Sequence, residues 1–182
     1  MLGKIDQNLL TWRWPALALV AATVMLGAAH AFERFALMLP CPLCLRQREV
    51  YWAVFAMTLT ALVLWRMRQN PRFIVAFNVM LGLVFLTGAI VAGYHAGVEW
   101  GFWPAPSGCL AMQPIDIGTL DLSNLNRAVA VPSCTEDPFK GAVGLSMAGW
   151  NSVISLVLSA ISFRAAGVMF TYPVQQGRFS PA

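Results

Sequence analysis

The residues of this chain best suited to covalent chemistry are its four cysteines, which occur as two differently spaced pairs. Cys41 and Cys44 form a Cys-Pro-Leu-Cys motif, whereas a long segment separates Cys109 from Cys134. A disulfide across so short a loop constrains the unfolded chain very little, and CxxC is a recurrent redox motif. The first pair is therefore predicted to be redox-active, while the second suits either a structural bond or a second redox pair.

The first pair stands where an apolar segment begins, and a proline follows Cys41. Proline is favoured in the first helical turn, so Cys44 is predicted near a helix N-terminus, where free N–H groups stabilise a thiolate. Arg48 follows one turn later on the same face, and Trp52 and Phe55 continue that face as predicted packing or lipid contacts. We interpret Arg48 as stabilising the thiolate and hydrogen-bonding an electron acceptor. The alternative is an arginine that extends to the lipid headgroups.

His95 lies near the end of a later apolar segment, with Glu99 one helical turn beyond it. Two interpretations stay open: the pair relays protons, or it is a hydrogen-bonded pair at the membrane interface. The cysteines also match zinc ligands in type. A zinc site is nevertheless disfavoured, because Cys109 and Cys134 lack the close spacing of zinc-binding cysteine pairs and because thiols outside the cytoplasm oxidise.

The composition indicates that lipid surrounds these residues. Apolar residues make up 58% of the 182 residues and charged residues 11%, against about 45–50% and about 25% in soluble domains. Four stretches are long enough to cross a hydrocarbon core of about 30 Å: about 14–32, 47–65, 73–98 and 143–163. We predict an all-α membrane protein, a single integral domain over residues 1–182, built as a four-transmembrane-helix bundle. The net charge of +4 is spread without a Lys/Arg cluster, so no nucleic-acid partner is expected.

The distribution of Lys and Arg predicts the orientation of the bundle. These residues are concentrated on the side that holds both termini, where Asp6 is the acid beside them: Lys4, Arg13, Arg66, Arg68, Arg72, Arg164 and Arg178. By the positive-inside rule both termini are therefore cytoplasmic. The two outer loops, about 33–45 and 99–142, carry all four cysteines, and each pair is expected to form a disulfide there.

Three further expectations concern single segments. Asn78 and Asn151 interrupt apolar spans and are predicted to hydrogen-bond between helices. Residues 115–131, in the second outer loop, are a candidate for a short helix lying along the membrane interface. Ala29–Ala31 has the small residues of a signal-peptide cleavage site, but the apolar stretch before it exceeds the usual length of about 7–15 residues, so a membrane span is preferred.

These features together resemble those of the bacterial DsbB family. The resemblance extends over all four spans, and the matching pieces occur in the same order along the chain. The matching pieces are CPLCLRQR over Cys41–Arg48, GYHAGVEW over Gly93–Trp100, the loop cysteines 109 and 134, and GLSMAGWN over Gly144–Asn151. DsbB proteins are quinone-linked oxidases of the inner membrane that recharge a periplasmic thiol oxidant, DsbA. The resemblance therefore implies a multi-pass protein of the bacterial inner membrane that oxidises a DsbA-like, thioredoxin-fold partner.

The resemblance also implies roles for individual residues. Cys109 forms the mixed disulfide with the partner, and Cys134 is its disulfide mate. Electrons pass to the first pair through a transient bond between Cys41 and a loop cysteine, and Cys44 faces the quinone, with Arg48 polarising it. The quinone is ubiquinone or menaquinone, and the respiratory chain reoxidises it.

His95 is the second predicted quinone contact, besides Arg48. The competing hypothesis, from a different class, is a structural four-span membrane protein with two inert disulfides.

Overall fold

The computed structural model describes residues 13–68, 71–109, 133–135 and 144–171. Within these segments the regular structure is helical throughout, with no strand. Four α-helices and one 3-10 turn follow one another: α1 Trp14–Phe35, α2 Pro42–Arg68, α3 Pro71–Glu99, the 3-10 turn Ser107–Cys109, and α4 Met147–Thr171. The all-α prediction is confirmed. The predicted interfacial helix over residues 115–131 lies outside the described residues.

All four α-helices are long and apolar enough to cross a membrane. The shortest, α1, has 22 residues, which at about 1.5 Å per residue gives about 33 Å, enough for the hydrocarbon core. The prediction of four membrane-spanning helices is confirmed, and the chain is a multi-pass membrane protein. Several helix ends differ from the predicted span limits: α1 continues to Phe35, α2 begins at Pro42 rather than near 47, and α4 covers Met147–Thr171 rather than 143–163. A span predicted from hydropathy ends at the first charged residues. The helix itself can continue, because a charged side chain near a helix end extends to the lipid headgroups.

The four helices share one apolar core. On α1 the buried residues Ala18, Ala22 and Leu26 recur at a spacing of four, which lines up one face of the helix. Helix α1 packs mainly against α2, and α3 packs most extensively against α4. The buried members of this core are Trp14, Ala18, Ala22, Leu26, Tyr51, Val54, Leu81, Phe85 and Ala165.

Small and hydroxylated residues join α3 to α4. Ser152 Oγ donates to the carbonyl oxygen of Ala89 at 2.9 Å, and Ser159 Oγ donates to that of Gly82 at 2.8 Å. Such residues let helix backbones approach closely in a membrane, where packing and hydrogen bonds drive association. The prediction for Asn78 is wrong: it is fully buried, yet neither of its side-chain polar atoms has a hydrogen-bond partner among the described residues.

The link between α1 and α2 begins with a tight turn at the end of α1. The N–H groups of Ala36 and Met38 both donate to the carbonyl oxygen of Phe32, at 3.1 and 3.3 Å, and Leu37 has a φ of 54°. A left-handed residue commonly closes a helix in this way, although glycine is usual and a leucine costs about 1–2 kcal/mol. The turn leaves only a short extended segment before Cys41.

Candidate redox site

The Cys-Pro-Leu-Cys motif lies at the N-terminus of α2. The carbonyl oxygen of Cys41 accepts from the N–H of Leu45 at 3.0 Å, and the N–H of Cys44 donates to Cys41 Sγ at 3.1 Å. Cys41 is thus the capping residue, and Cys44 occupies the first turn, where the helix dipole favours negative charge on sulfur. The two residues form a disulfide. The predicted position of the motif at a helix N-terminus is confirmed.

The end of α3 directs the second outer loop back towards this motif. Gly101, with a φ of 75°, lets the chain leave the helix. The ring of Trp103 then stacks on Tyr94 with centroids 6.0 Å apart, and its indole N–H donates to the carbonyl oxygen of Tyr94 at 2.8 Å. This contact folds the loop over α3, and the 3-10 turn Ser107–Cys109 comes to lie against α2.

All four cysteines meet in one cluster, in which Cys41, Cys109 and Cys134 are buried and Cys44 is half-buried. Cys109 and Cys134 form the second disulfide, and the N–H of Cys134 donates to the carbonyl oxygen of Cys109 at 3.3 Å. The exposed fractions are 5% for Cys41, 2% for Cys109 and 0% for Cys134. Cys41 Sγ and Cys134 Sγ lie within 4.8 Å of each other. The contact between the two disulfides therefore runs between these two sulfurs.

His95 joins this cluster from α3. Its Nε2 lies 3.7 Å from Cys41 Sγ and 3.6 Å from Glu99 Oε1, while its Nδ1 lies 2.8 Å from Gln47 Nε2. The pairing of His95 with Glu99 that their spacing suggested is present, and both side chains are buried. The pair lies against the first cysteine pair. Its role in proton transfer stays a prediction.

Arg48 of α2 is held by two contacts with α1. Its Nη1 forms an ion pair with Glu33, and its Nη2 donates to the carbonyl oxygen of Ala29 at 3.1 Å. The Arg48 side chain is only 15% exposed. Within the part of the chain that the structure describes, these contacts use two of the five N–H donors of the guanidinium, and the other three are available to a neighbouring acceptor.

A chain of buried hydrogen bonds continues from His95 into the bundle. Asn151 Nδ2 donates to Gln47 Oε1 at 2.5 Å, Tyr51 Oη donates to Asn151 Oδ1 at 2.5 Å, and Tyr51 Oη also lies 2.9 Å from Ser155 Oγ. The prediction that Asn151 hydrogen-bonds between helices is confirmed. Sequence reasoning missed Gln47 and Tyr51.

A signal for these two residues does exist in the sequence. Gln47 and Tyr51 stand three and seven positions after Cys44, so they share a face of α2 with it. Trp52, by contrast, is 50% exposed and meets Phe55 edge to face at a centroid distance of 5.9 Å. Those two aromatic residues fit the lipid or packing contacts predicted for them.

A cavity of about 240 Å³ lies beside the first disulfide. Its polar lining residues are Cys41, Cys44, Gln47, Arg48, Tyr51, His95, Glu99, Ser133 and Asn151. The rest is largely apolar and comes from α1 and α4, with Met25, Leu26, Phe32, Trp150 and Ile154 among the lining residues. The structure thus brings the sequence-predicted Cys44, Arg48 and His95 to one small, mainly apolar cavity.

The buried network makes a prediction about stability. Asn151→Leu should lower the free energy of unfolding by about 1–3 kcal/mol, because Gln47 Oε1 loses its buried partner. Asn78→Leu is the matched control: it removes a buried amide without a partner among the described residues, and it should be neutral or stabilising. Unfolding by sodium dodecyl sulfate in mixed micelles, followed by circular dichroism, measures both. Equal losses in the two variants would contradict the assigned network.

Comparison with known proteins gives a consistent result. The family model described as "Disulfide bond formation protein DsbB" matches residues 11–165. Disulfide bond formation protein B 1 of Pseudomonas fluorescens strain Pf0-1 is 34% identical over 124 residues, which cover 67% of this chain and 69% of the relative. A protein of the same name from strain Pf-5 is 31% identical over the same share. An uncharacterized protein of Rickettsia prowazekii is 27% identical, covering 88% of this chain and 90% of its own length. No solved structure shows a significant match.

Proposed function

This chain belongs to the DsbB family, and we propose that it oxidises the dithiol of a DsbA-like, thioredoxin-fold periplasmic partner and passes the electrons to a membrane quinone. Family membership and the two cysteine pairs at disulfide distance make it a disulfide oxidoreductase. The observation that carries the finer proposal is the approach of the two pairs: Cys41 Sγ lies within 4.8 Å of Cys134 Sγ, beside a cavity that Cys44 also lines.

The exchange begins at the outer pair. A thiolate of the partner attacks Cys109, which breaks the Cys109–Cys134 bond and releases Cys134 as a thiolate. Cys134 then attacks Cys41, so that a Cys41–Cys134 bond forms and Cys44 leaves as a thiolate. Proximity supports this order, because Cys134 is the outer cysteine whose sulfur lies next to Cys41. The first helical turn of α2 stabilises the leaving Cys44 sulfur.

The outer pair is then restored. The second thiol of the partner attacks the mixed disulfide, and the partner leaves oxidised while Cys109 becomes a thiolate. Cys109 attacks Cys134, which reforms the outer disulfide and frees Cys41. Two electrons from the partner now reside in the Cys41/Cys44 dithiol, and two protons accompany them.

Access to the outer pair requires movement of the loop. Cys109 and Cys134 are both buried against the start of α2, so the partner reaches Cys109 only when the loop swings away from the bundle. Exchange between Cys134 and Cys41 requires the closed arrangement described above. We propose that the loop alternates between these two positions. Among the described residues, its contacts with the end of α3 include the stacking of Trp103 on Tyr94 and the bond from Tyr94 Oη to the carbonyl oxygen of Pro104.

The cavity fits the head of a quinone. It is smaller than most drug-sized pockets, which measure about 300–1,000 Å³, and its apolar wall suits a lipid-soluble ring. Arg48 offers hydrogen-bond donors at that wall, His95 stands opposite, and Cys44 lines the same space. When bound, ubiquinone or menaquinone would supply a two-electron, two-proton acceptor. Glu33 fixes the guanidinium of Arg48, which leaves it oriented before any acceptor arrives.

Arg48 provides a prediction for the acceptor site. Arg48→Gln should raise KM for quinone by about 10- to 100-fold, because a hydrogen bond to a charged group contributes about 1.5–3 kcal/mol. The measurement is the initial rate of quinone reduction by a reduced thioredoxin-fold partner at varied quinone. Arg46→Gln is the matched control: Arg46 pairs with Glu49 on the exposed surface and lies outside this cavity, so its KM should not change. Equal shifts in both variants would count against the assigned site.

The orientation gives a second prediction. We place both termini in the cytoplasm and the cysteines in the periplasm of a bacterial inner membrane, in accordance with the positive-inside rule. After mild reduction of spheroplasts, a membrane-impermeant maleimide should label Cys109 and Cys134, and a cysteine introduced at the N-terminus should react only after lysis. Labelling of the native cysteines from the cytoplasmic side alone would overturn the proposed function.

The proposal is tested directly by purifying the protein with its native lipid and identifying any extracted quinone. The competing function, a structural protein with two inert disulfides, is tested by thiol titration in graded redox buffers. Structural disulfides resist reduction to potentials below about −300 mV, whereas catalytic pairs are reduced at higher potentials. Resistance of both pairs would favour the structural alternative.

A further inference from the structure

Three metal-binding atoms from distant parts of the chain meet at the contact between the two disulfides. Cys41 Sγ, His95 Nε2 and Cys134 Sγ all lie within 4.8 Å of one another, and all three residues are buried. Cysteine sulfur and histidine nitrogen are the preferred protein ligands of zinc. We propose that, once both disulfides are reduced, Cys41, His95 and Cys134 bind one thiophilic divalent cation such as Zn²⁺.

The distances suit a tetrahedral ion. Zinc bonds of about 2.3 Å to sulfur and about 2.0–2.1 Å to nitrogen place neighbouring ligand atoms about 3.5–3.8 Å apart. The separation of Cys41 Sγ from His95 Nε2 is already 3.7 Å. With all three atoms within 4.8 Å, shifts of about 1 Å complete the arrangement. Three protein ligands with a water molecule in the fourth position form an established type of zinc site.

The oxidation state of the cysteines controls this site. Both sulfur ligands are engaged in disulfides in the structure described above, and a disulfide sulfur is not the thiolate that zinc requires. Reduction of the two bonds takes four electrons and four protons, supplied by two dithiols. Binding of the ion then releases the protons of Cys41 and Cys134 without any redox change at the metal.

The structure changes one of the two sequence arguments against zinc. The spacing of Cys109 and Cys134 was unfavourable for a site made by the two pairs alone, but the fold supplies His95 and brings Cys134 to Cys41. The other argument, oxidation outside the cytoplasm, becomes the condition for binding. The ion would occupy both sulfurs that exchange between the pairs, and it would therefore hold the fully reduced protein inactive.

The surroundings of His95 also suit a metal ligand. Metal-binding histidines usually have a hydrogen-bond partner at their other ring nitrogen, and Gln47 lies 2.8 Å from His95 Nδ1. A 180° flip of the Gln47 amide would turn its Oε1 towards an Nδ1–H of His95, and a matching flip of Asn151 would keep the Gln47–Asn151 bond with donor and acceptor exchanged. Tyr51 Oη would then accept from Asn151 Nδ2 and donate to Ser155 Oγ, while the bond from Ser155 Oγ to Asn151 Oδ1 would be given up.

The test uses the full chain in detergent micelles, reduced with a phosphine and desalted under argon. Zn²⁺ affinity is measured by competition with a chromophoric chelator, and Cd²⁺ is added to count thiolate ligands by its charge-transfer absorbance. We expect one Zn²⁺ per reduced chain and none per oxidised chain. The experiment needs neither quinone nor partner, so its failure is distinguishable from failure of the proposed function. A reduced chain that binds no Zn²⁺ would overturn the proposal.

Variants identify the ligands. His95→Gln should weaken Zn²⁺ binding by at least about 10- to 100-fold, the loss seen when even an outer partner of a ligand is removed. His30→Gln, at the other histidine of the chain, whose side chain is 55% exposed on α1, should leave the affinity unchanged. Equal effects of the two substitutions would refute the assignment of His95.

A second pair of variants tests the two sulfur ligands and leaves His95 unchanged. Cys44→Ser with Cys109→Ser retains all three ligands and should still bind one ion with two cadmium–thiolate bonds. Adding Cys134→Ser should halve the cadmium–thiolate absorbance of this variant and weaken Zn²⁺ binding. Loss of binding in the first variant, or unchanged absorbance in the second, would assign the ion to other cysteines and overturn the proposal.

Discussion

Cys44→Ser should lower the rate of quinone reduction by a reduced thioredoxin-fold partner by about a thousandfold or more, the scale on which loss of a catalytic nucleophile acts. Cys44 is the sulfur released next to the acceptor cavity, since Cys41 is engaged with Cys134 at that stage of the exchange. It also lies in the first turn of α2, where the helix dipole favours its thiolate. The loss of quinone absorbance under anaerobic conditions measures the rate.

The same variant should still react with its partner once. The outer disulfide remains in Cys44→Ser, so one equivalent of reduced partner should be oxidised before turnover stops. A mass-spectrometric count of free thiols before and after mixing separates this single exchange from a misfolded protein, which would not react. Undiminished steady-state turnover in Cys44→Ser would exclude Cys44 as the sulfur that delivers electrons to the acceptor.

The membrane spans could be predicted from sequence because lipid imposes a simple requirement on composition. An apolar run of about 20 residues must be helical to satisfy its backbone in hydrocarbon. The helix limits were less accurate for the same reason, since hydropathy reports where the chain meets lipid and not where helical hydrogen bonds begin. Pro42 was the local signal that placed the cysteine motif at the start of α2.

The polar contacts of the site depend on which helix faces which. Asn78 and Asn151 are equivalent in sequence terms, each a single amide within an apolar span. Asn151 hydrogen-bonds to Gln47 and Tyr51 on α2, whereas the Asn78 amide has no hydrogen-bond partner among the described residues. Only the packing of the bundle separates them. Gln47 was missed because it stands among charged residues at a span boundary, where a polar side chain is unremarkable.

The close approach of the two cysteine pairs was the feature hardest to predict from the sequence. It joins residues from the first and second outer loops, and no hydrophobic period relates them. Their meeting depends on how the chain after α3 folds back, through the stacking of Trp103 on Tyr94. The resemblance to DsbB proteins implied a bond between Cys41 and a loop cysteine without saying which. The short distance from Cys41 to Cys134 is what favours Cys134.

The short distance between Cys41 and Cys134 predicts efficient formation of a disulfide between them. In Cys44→Ser with Cys109→Ser, Cys41 and Cys134 are the remaining cysteines, and mild oxidation should join them almost completely. Their sulfurs lie within 4.8 Å, so a disulfide of about 2.05 Å needs an approach of no more than about 3 Å. Peptide mapping by mass spectrometry without reduction measures the yield of the Cys41–Cys134 bond.

The matched control leaves the other inner cysteine in place. Cys41→Ser with Cys109→Ser retains Cys44 and Cys134, and its bond should form more slowly, because Cys44 lies three residues after Cys41, within the first turn of α2. Equal or faster coupling of Cys44 to Cys134 would reverse the order of exchange proposed above. Electrons would then enter the first pair at the sulfur next to the acceptor, and Cys41 would lose its role as the entry point.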